Sequence, residues 1–123
     1  MIATAYFAHA ADLAARIAAL VGRPELAARN RALRDRVRAA FRREYVARDG
    51  RIDGDVQTSY LLALAFDLVL PRQRARTAAH LLRTFAEKDN HLSTGFLGTP
   101  LIMPVLTTLG CTDLAYTVLG QKT

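Results

Sequence analysis

Hydrophobic and polar residues recur with the period of an α-helix in six separate segments of the chain. The segments cover about residues 4–21, 24–45, 55–70, 71–88, 99–109 and 112–120. Glycine or proline stands near each break, where glycine suits a helix C-terminus and proline suits the first turn of the next helix. The pattern therefore predicts an all-α chain with short connections, in which Asp55 caps the third helix.

The polarity of these segments alternates along the chain. Between Val56 and Leu70 the one charged residue is Asp67, and between Pro100 and Leu109 there is none, whereas the second and fourth segments are rich in arginine. A helix that is apolar on all sides must be buried on all sides. We therefore expect odd-numbered helices to form an inner layer and even-numbered helices an outer layer. Short connections make three antiparallel hairpins, the arrangement of a helical toroid or a helical solenoid.

The outer helices are expected to pack on this inner layer through narrow apolar stripes. The stripes are Leu26, Leu33, Val37, Ala40 and Phe41 in the second helix, and Ala75, Ala79, Leu82 and Phe85 in the fourth. On the first helix, His9, Asp12 and Arg16 share one face at spacings of three and four. We interpret this trio as a buried polar network that joins the first helix to a neighbour, with a proton-handling site as the alternative.

Arginine supplies most of the formal net charge of +6. The arginines of the second helix spread over more than half of its circumference, with Glu25, Asp35 and Glu44 among them. A protein that reads nucleic acid concentrates such residues on a narrower face. A solvated outer face is therefore favoured over an arginine-rich nucleic-acid-binding module, which stays as one alternative. A helical-repeat scaffold that binds a protein between its inner helices is the other.

Several classes of protein and of site do not fit the composition. The single Cys111 excludes an internal disulfide, and no His, Cys, Asp or Glu set has metal-ligand spacing, so we expect neither metal nor cofactor. No stretch is long and apolar enough to span a membrane. The first 21 residues lack a basic leading segment and are interrupted by Asp12 and Arg16, which argues against a signal peptide and predicts a cytoplasmic location.

Two polar loops precede the third and fifth helices and are therefore expected at the same end of the assembly. One loop holds aspartates at 49, 53 and 55, and the other runs from Asp89 to Gly98. Polar and aromatic side chains at the mouth of a toroid suit a sugar, which needs hydrogen bonds for its hydroxyls and an apolar surface for its ring. Because most surface loops are polar, this feature alone does not identify a function.

The run His91-Leu-Ser-Thr-Gly-Phe-Leu-Gly-Thr-Pro100 resembles a characteristic stretch of the bacterial α-L-rhamnosidases. In that family the pattern Gly-His-x-x-Thr-Gly-Phe-x-Gly-Thr opens an inner helix of the catalytic toroid. Residues 4–9, 49–64 and 112–116 resemble other parts of the family in the same order. The resemblance covers essentially the whole chain. Asn90 departs from it, since glycine is usual before the histidine.

The resemblance implies a partial (α/α)6 toroid from an enzyme that hydrolyses terminal α-linked L-rhamnose with inversion. Inversion needs a general acid and a general base whose carboxyls are about 6.5–9.5 Å apart. In the family the acid lies in an acidic motif before this region and the base in a Thr-x-Trp-Glu segment after it. Neither motif occurs in this chain, which has no Trp. Residues 1–123 are thus expected to form a single incomplete domain segment without a catalytic residue.

Six positions correspond to the family's pocket-facing loops and are the predicted substrate-binding residues. They are Gln57, Thr58, His91, Thr94, Gly95 and Phe96. We expect most of them to support the pocket: His91 holds the loop, Gly95 supplies a backbone angle that other residues avoid, and Phe96 fills the core. The expected partners are a rhamnoside in the complete enzyme and either the remainder of the domain or a second copy. Three hairpins cannot close a ring of six, so each inner helix should expose an apolar flank.

The missing acid and base motifs predict that the purified 123-residue chain does not hydrolyse p-nitrophenyl α-L-rhamnoside. Release of p-nitrophenol should equal that of enzyme-free buffer. A heat-denatured sample of the same preparation is the control for trace contaminants. Hydrolysis by the folded chain above both backgrounds would refute the prediction.

Overall fold

Six α-helices account for the regular structure of residues 1–121, the part of the chain that the computed structural model describes. They are α1 (Ile2–Leu20), α2 (Pro24–Tyr45), α3 (Gln57–Ala65), α4 (Arg74–Glu87), α5 (Ile102–Thr108) and α6 (Thr112–Leu119). Short 3-10 turns lead into α4 and α5, and the β pairing found in these residues is one bridge between Val46 and Ile52. No helix within residues 1–121 combines the length and apolarity needed to cross a bilayer. The all-α prediction is confirmed.

The helices form two layers. Each odd-numbered helix packs on the even-numbered helix that follows it, and α3 also contacts α1 and α5. Within residues 1–121, no even-numbered helix contacts another even-numbered helix. Three hairpins therefore stand side by side, with α1, α3 and α5 in the inner layer and α2, α4 and α6 in the outer layer, as the alternation in polarity predicts.

The inner helix α3 lies at the centre of the core. Tyr60, Leu61 and Leu62 are fully buried, and Gln57 at the start of the helix is buried with them. The expectation of an exposed apolar flank is wrong for α3, because α1 and α5 cover it on its two sides. It holds for α1, which exposes five large apolar side chains. These are Ile2 (39%), Phe7 (52%), Leu13 (41%), Ile17 (60%) and Leu20 (87%).

Helix α3 ends five residues earlier than the sequence pattern predicts. Asp67 adopts a left-handed conformation with φ of +56°, and the amide of Leu68 returns to donate to the carbonyl of Ala63 at 2.9 Å. Aspartate tolerates this conformation better than most residues, and the returning bond is that of a Schellman C-cap. Leu70 is extended, as expected before a proline. Phe66, Leu68 and Val69 are therefore buried in a connection rather than in a helix.

The outer helix α4 buries a different face from the predicted stripe. Thr77, Leu81, Thr84 and Phe85 are buried, whereas Ala75 and Ala79 are exposed and Leu82 is half-buried. The prediction failed because it excluded threonine from the core. The Thr77 hydroxyl satisfies its hydrogen bond by donating to the carbonyl of Gly50 at 2.9 Å. The stripe of α2 is broadly as predicted, although only Phe41 is fully buried and Leu26 is exposed.

A buried ion pair joins α1 to α2 through a surface made mainly of alanines. Ala11, Ala15 and Ala18 are buried, and small side chains let the two helices lie close together. Asp12 is 6% exposed; it accepts a hydrogen bond from Arg34 of α2 at 2.8 Å and forms an ion pair with Arg16 at 2.9 Å. The predicted polar network is therefore present around Asp12.

The sequence predicted that His9 belongs to that network, but the structure places it elsewhere. Its ring stacks on Phe66 with centroids 4.1 Å apart, at the C-terminal end of α3. The proton-handling alternative for the trio is not supported by this arrangement, because the histidine contacts an aromatic ring while Asp12 is paired with arginines.

The electrostatics of Asp12 favour its charged form. Burial raises the pKa of Asp12, but the hydrogen bond from Arg34 and the charges of Arg16, Arg34 and Arg38 outweigh burial and hold the pKa below its ordinary value of 3.8. A carboxylate whose pKa is lowered by folding stabilises the fold at pH values above its unfolded-state pKa. That contribution disappears as the pH falls through the folded-state pKa.

Asp12→Ala is expected to lower the free energy of unfolding by about 1–3 kcal/mol at pH 7, because it leaves the partly buried guanidinium of Arg34 without its main partner. The matched control is Asp35→Ala, which removes an exposed partner of the same arginine and should change the free energy by less than about 0.5 kcal/mol. Urea unfolding from pH 7 downward measures both. The difference between wild type and Asp12→Ala should shrink below pH 4, and equal losses for the two variants at pH 7 would contradict the assignment.

Candidate functional site

The two polar loops meet at the N-terminal ends of α3 and α5, and the side chain of Gln57 joins them. Gln57 is fully buried. Its Nε2 donates to the carbonyl of His91 at 3.1 Å, and its Oε1 accepts from the amide of Ser93 at 2.9 Å. Both ends of the buried carboxamide are thus satisfied by the same loop. The prediction that these loops lie at one end of the assembly is confirmed, and we call this end the rim.

The histidine next to this contact holds the start of the loop. Nδ1 of His91 lies 3.1 Å from the carbonyl oxygen of Lys88 and 3.0 Å from that of Asp89. Asn90 has φ of +61°, in the left-handed region where glycine and asparagine are the usual residues. This conformation explains why asparagine can stand where the family pattern has glycine. The contacts of His91 are those expected of a residue that holds its loop.

A tight turn follows between Thr94 and Thr99. The carbonyl oxygen of Gly95 accepts from the amide of Gly98 at 3.2 Å, the amide of Thr99 at 3.0 Å and the hydroxyl of Thr99 at 2.8 Å. The hydroxyls of Thr94 and Thr99 are themselves 2.8 Å apart. One carbonyl therefore closes the turn, and the threonine hydroxyls face each other across it.

Two of the predicted roles in this turn are wrong. Phe96 does not fill the core, because its side chain is 85% exposed. Gly95 does not supply an unusual backbone angle: its φ lies outside the left-handed region, and an added Cβ would meet nothing within 4 Å. The core beneath the turn is already filled by α3, so the turn lies on the surface of that helix.

The glycine that the structure requires in this motif is Gly98, which the sequence analysis did not single out. Gly98 is buried, and a Cβ at this position would lie 2.7 Å from Oγ1 of Thr58 and 3.2 Å from Cβ of Thr94. Thr58 and Thr94 are thus brought together at Gly98, while Gln57 and His91 are brought together at the start of the loop. The second glycine of the run Thr-Gly-Phe-Leu-Gly-Thr was the available indication.

A second polar cluster lies just before α3 and replaces the predicted helix cap. Asp55 makes no cap bond to α3, which begins after Val56. Its carboxylate instead accepts hydrogen bonds from the hydroxyl of Tyr60 and from Arg83 of α4, the latter at 2.6 Å. Arg83 also bonds Glu87 at 2.9 Å. Asp55 has φ of +48°, so the contacts with Tyr60 and Arg83 hold it in a conformation that is uncommon outside glycine.

The ionisation of this cluster excludes Asp55 as a proton donor. The hydrogen bond from Tyr60 and the nearby Arg83 lower the pKa of Asp55, although burial opposes them. Burial and the Asp55 carboxylate raise the pKa of Tyr60 to about 12. At neutral pH the carboxylate is charged and the phenol is protonated. Asp55 therefore acts in this cluster as the acceptor of hydrogen bonds from Tyr60 of α3 and Arg83 of α4.

A groove lies beside the rim, between the loop and the third hairpin. Its volume is about 430 Å³. The lining residues are His91, Leu92, Thr99, Ile102, Met103, Val118, Leu119 and Gln121. The lining is largely apolar. No group of three or more His, Cys, Asp or Glu side chains in residues 1–121 is arranged to hold a metal ion.

Helical hairpins in an inner and an outer layer, with the loops before the inner helices collected at one rim, are the arrangement of an α/α toroid or a helical solenoid. The match to a known family decides for the toroid. Residues 1–123 match the bacterial alpha-L-rhamnosidase six-hairpin glycosidase domain, and the chain belongs to this family.

Relatives match the chain along its whole length. It is 51% identical over 123 residues to an α-L-rhamnosidase of Streptomyces avermitilis and 44% identical over 126 residues to one of Formosa agariphila, and the matches cover 100% of this chain. The crystal structure of the S. avermitilis α-L-rhamnosidase complexed with L-rhamnose superimposes with a TM-score of 0.95 at 52% identity, covering 99% of this chain. The chain spans only 12–13% of the length of these relatives. It is therefore a segment of the glycosidase domain, and the nucleic-acid and scaffold alternatives find no support.

Gln57→Leu should lower the free energy of unfolding by about 1–3 kcal/mol, because the carbonyl of His91 and the amide of Ser93 lose their partner at a buried side chain. The matched control is Gln73→Leu, a half-buried glutamine that bonds Ala47 and Leu70 and should cost less than about 1 kcal/mol. Urea unfolding gives the free energies, and hydrogen exchange at the Ser93 amide reports the loop directly. Unchanged exchange at Ser93 in Gln57→Leu would show that the carboxamide does not hold the loop.

Proposed function

We propose that the protein to which this segment belongs hydrolyses terminal α-L-rhamnosides, and that the segment supplies part of the pocket wall and rim. The observation that carries the proposal is the match of the entire chain, at 51% identity, to an α-L-rhamnosidase. The superposition on an α-L-rhamnosidase that holds L-rhamnose supports it independently of the sequence motifs.

The rim residues divide into supporting and contacting roles. Gln57 and His91 are buried or bonded to the loop backbone and act as supports. The exposed ring of Phe96 and the hydroxyl of Thr94 are the groups proposed to face the sugar, whereas Thr58 lies beneath Gly98 and supports the turn. An aromatic face and hydroxyls are the chemistry that a pyranose requires. Gly95 takes part through its carbonyl oxygen, which closes the turn.

The reaction itself is assigned to groups outside this segment. Inversion at the anomeric carbon needs an acid on the glycosidic oxygen and a base that activates water. Asp55, the rim carboxylate with a lowered pKa, is bonded to Tyr60 and Arg83 and does not suit the role of acid. The segment therefore acts as the frame on which loops are positioned, and the carboxyls come from the remainder of the domain.

The exposed face of α1 is the proposed contact with that remainder. Phe7, Leu13 and Ile17 lie exposed along this inner helix. In a closed toroid each inner helix has neighbours on both sides, which would remove these side chains from water. In the isolated segment, the same face is proposed to drive self-association.

A chimera tests the proposed function directly. Residues 1–123 replace the matching residues of the S. avermitilis enzyme, whose own remainder supplies the rest of the domain. The chimera should hydrolyse p-nitrophenyl α-L-rhamnoside with at least about a tenth of the parent kcat/KM, a loss of 1.4 kcal/mol or less in transition-state stabilisation. The parent enzyme and a chimera in which Gln57 is replaced by Leu are the controls. A chimera that unfolds cooperatively near the parent temperature but has no activity would refute the proposal.

A further inference from the structure

We infer that Gly98 is a positioning residue of the rim: the absence of its side chain allows the turn at residues 94–98 to seat directly on Thr58 of α3. What the turn does for catalysis rests on the proposed function. The packing that fixes the turn rests on the structure alone.

Two neighbouring residues of α3 hold the loop at two separate points. Gln57 binds the backbone at His91 and Ser93 through its carboxamide. Thr58, one position later, lies beneath Gly98. The segment between these two points carries Thr94 and the exposed Phe96. The position of both side chains therefore depends on how closely the loop approaches the first turn of α3.

The requirement at Gly98 is for space and not for backbone freedom. Its φ of −88° and ψ of −34° are ordinary helical values that any residue adopts. An added Cβ, however, would stand 2.7 Å from Oγ1 of Thr58 and 3.2 Å from Cβ and Cγ2 of Thr94. Ordinary contact begins at 3.4 Å, so Oγ1 of Thr58 and the added Cβ would have to separate by about 0.7 Å (3.4 minus 2.7), by rotation of Thr58 between its two common helical χ1 rotamers or by movement of the loop.

The loop, and not the helix, is the part that can give way. Thr58 belongs to the central helix, where the adjoining Gln57 and Ser59 are buried, whereas Gly95 and Phe96 at the tip of the turn are exposed. Thr94 is tied to Thr99 and moves with the turn. A methyl group at Gly98 should therefore lift the turn away from the rim. Displacements of this size in a binding site lower catalytic efficiency by roughly ten- to a hundredfold.

The test uses the S. avermitilis chimera that carries residues 1–123, with p-nitrophenyl α-L-rhamnoside as substrate. Gly98→Ala should raise KM roughly tenfold or more while kcat of the folded protein stays within about threefold, because the turn contributes binding. Gly95→Ala is the comparison within the same motif, since a Cβ there meets nothing within 4 Å, and its effect should be clearly smaller. Adding Thr58→Ala to Gly98→Ala removes the 2.7 Å contact and should recover most of the KM, relative to Thr58→Ala alone.

Hydrogen exchange provides a readout that does not depend on activity. The amides of Gly98 and Thr99 donate to Gly95 inside the turn, so their exchange should accelerate in Gly98→Ala and slow again when Thr58→Ala is added. If the unsubstituted chimera is inactive, the proposed function fails, and this exchange pattern still decides the positioning role. If Gly98→Ala does not fold, recovery of folded protein by Thr58→Ala supports the inference. Equal effects of the two glycine substitutions, or no recovery with Thr58→Ala, would overturn it.

Discussion

The first turn of α3 belongs to the core and to the rim at the same time. Further along this helix, Tyr60, Leu61 and Leu62 are fully buried, so its position is fixed by packing from both neighbouring inner helices. At its N-terminal end the same helix presents Gln57 and Thr58 to the loop that precedes α5. Any displacement of the core would therefore be transmitted to the rim through two adjacent side chains. The position of the rim loop is therefore fixed by the rigidity of a close-packed interior.

Inner-layer carboxylates paired with outer-layer arginines tie the two layers together. The pairs are Asp12 with Arg34, Asp55 with Arg83, and Asp67 with Arg38 and Arg74. Asp12 is the most buried of these carboxylates, and its partner Arg34 is 21% exposed. The arginines of the outer helices are therefore not all solvated surface residues. Part of the positive charge is paired with carboxylates between the outer and inner layers.

The layers and the location of the rim followed from sequence because both depend on polarity repeated over many residues. The failures were at single positions governed by local geometry. Hydropathy placed threonine outside, but Thr77 is buried because Gly50 lies close enough to accept its hydrogen bond. The resemblance drew attention to Gly95, whereas the steric requirement lies at Gly98, and only coordinates show which glycine faces Thr58. Asp55 is a residue type that caps helices, yet its carboxylate binds Tyr60 of α3 and Arg83 of α4 instead.

The three hairpins are not equivalent, and the difference follows from their neighbours. Helix α3 has an inner helix on each side, whereas α1 and α5 each have one, and α1 exposes Phe7 and Ile17 as a result. Local opening requires less free energy where fewer apolar contacts are lost, so the outer edges of the segment should open before its centre. The residues that anchor the rim loop, Gln57 and Thr58, lie on the central helix. The loop is thus attached to the helix that has inner neighbours on both sides. At its C-terminal end the loop continues into α5, which has an inner neighbour on one side only.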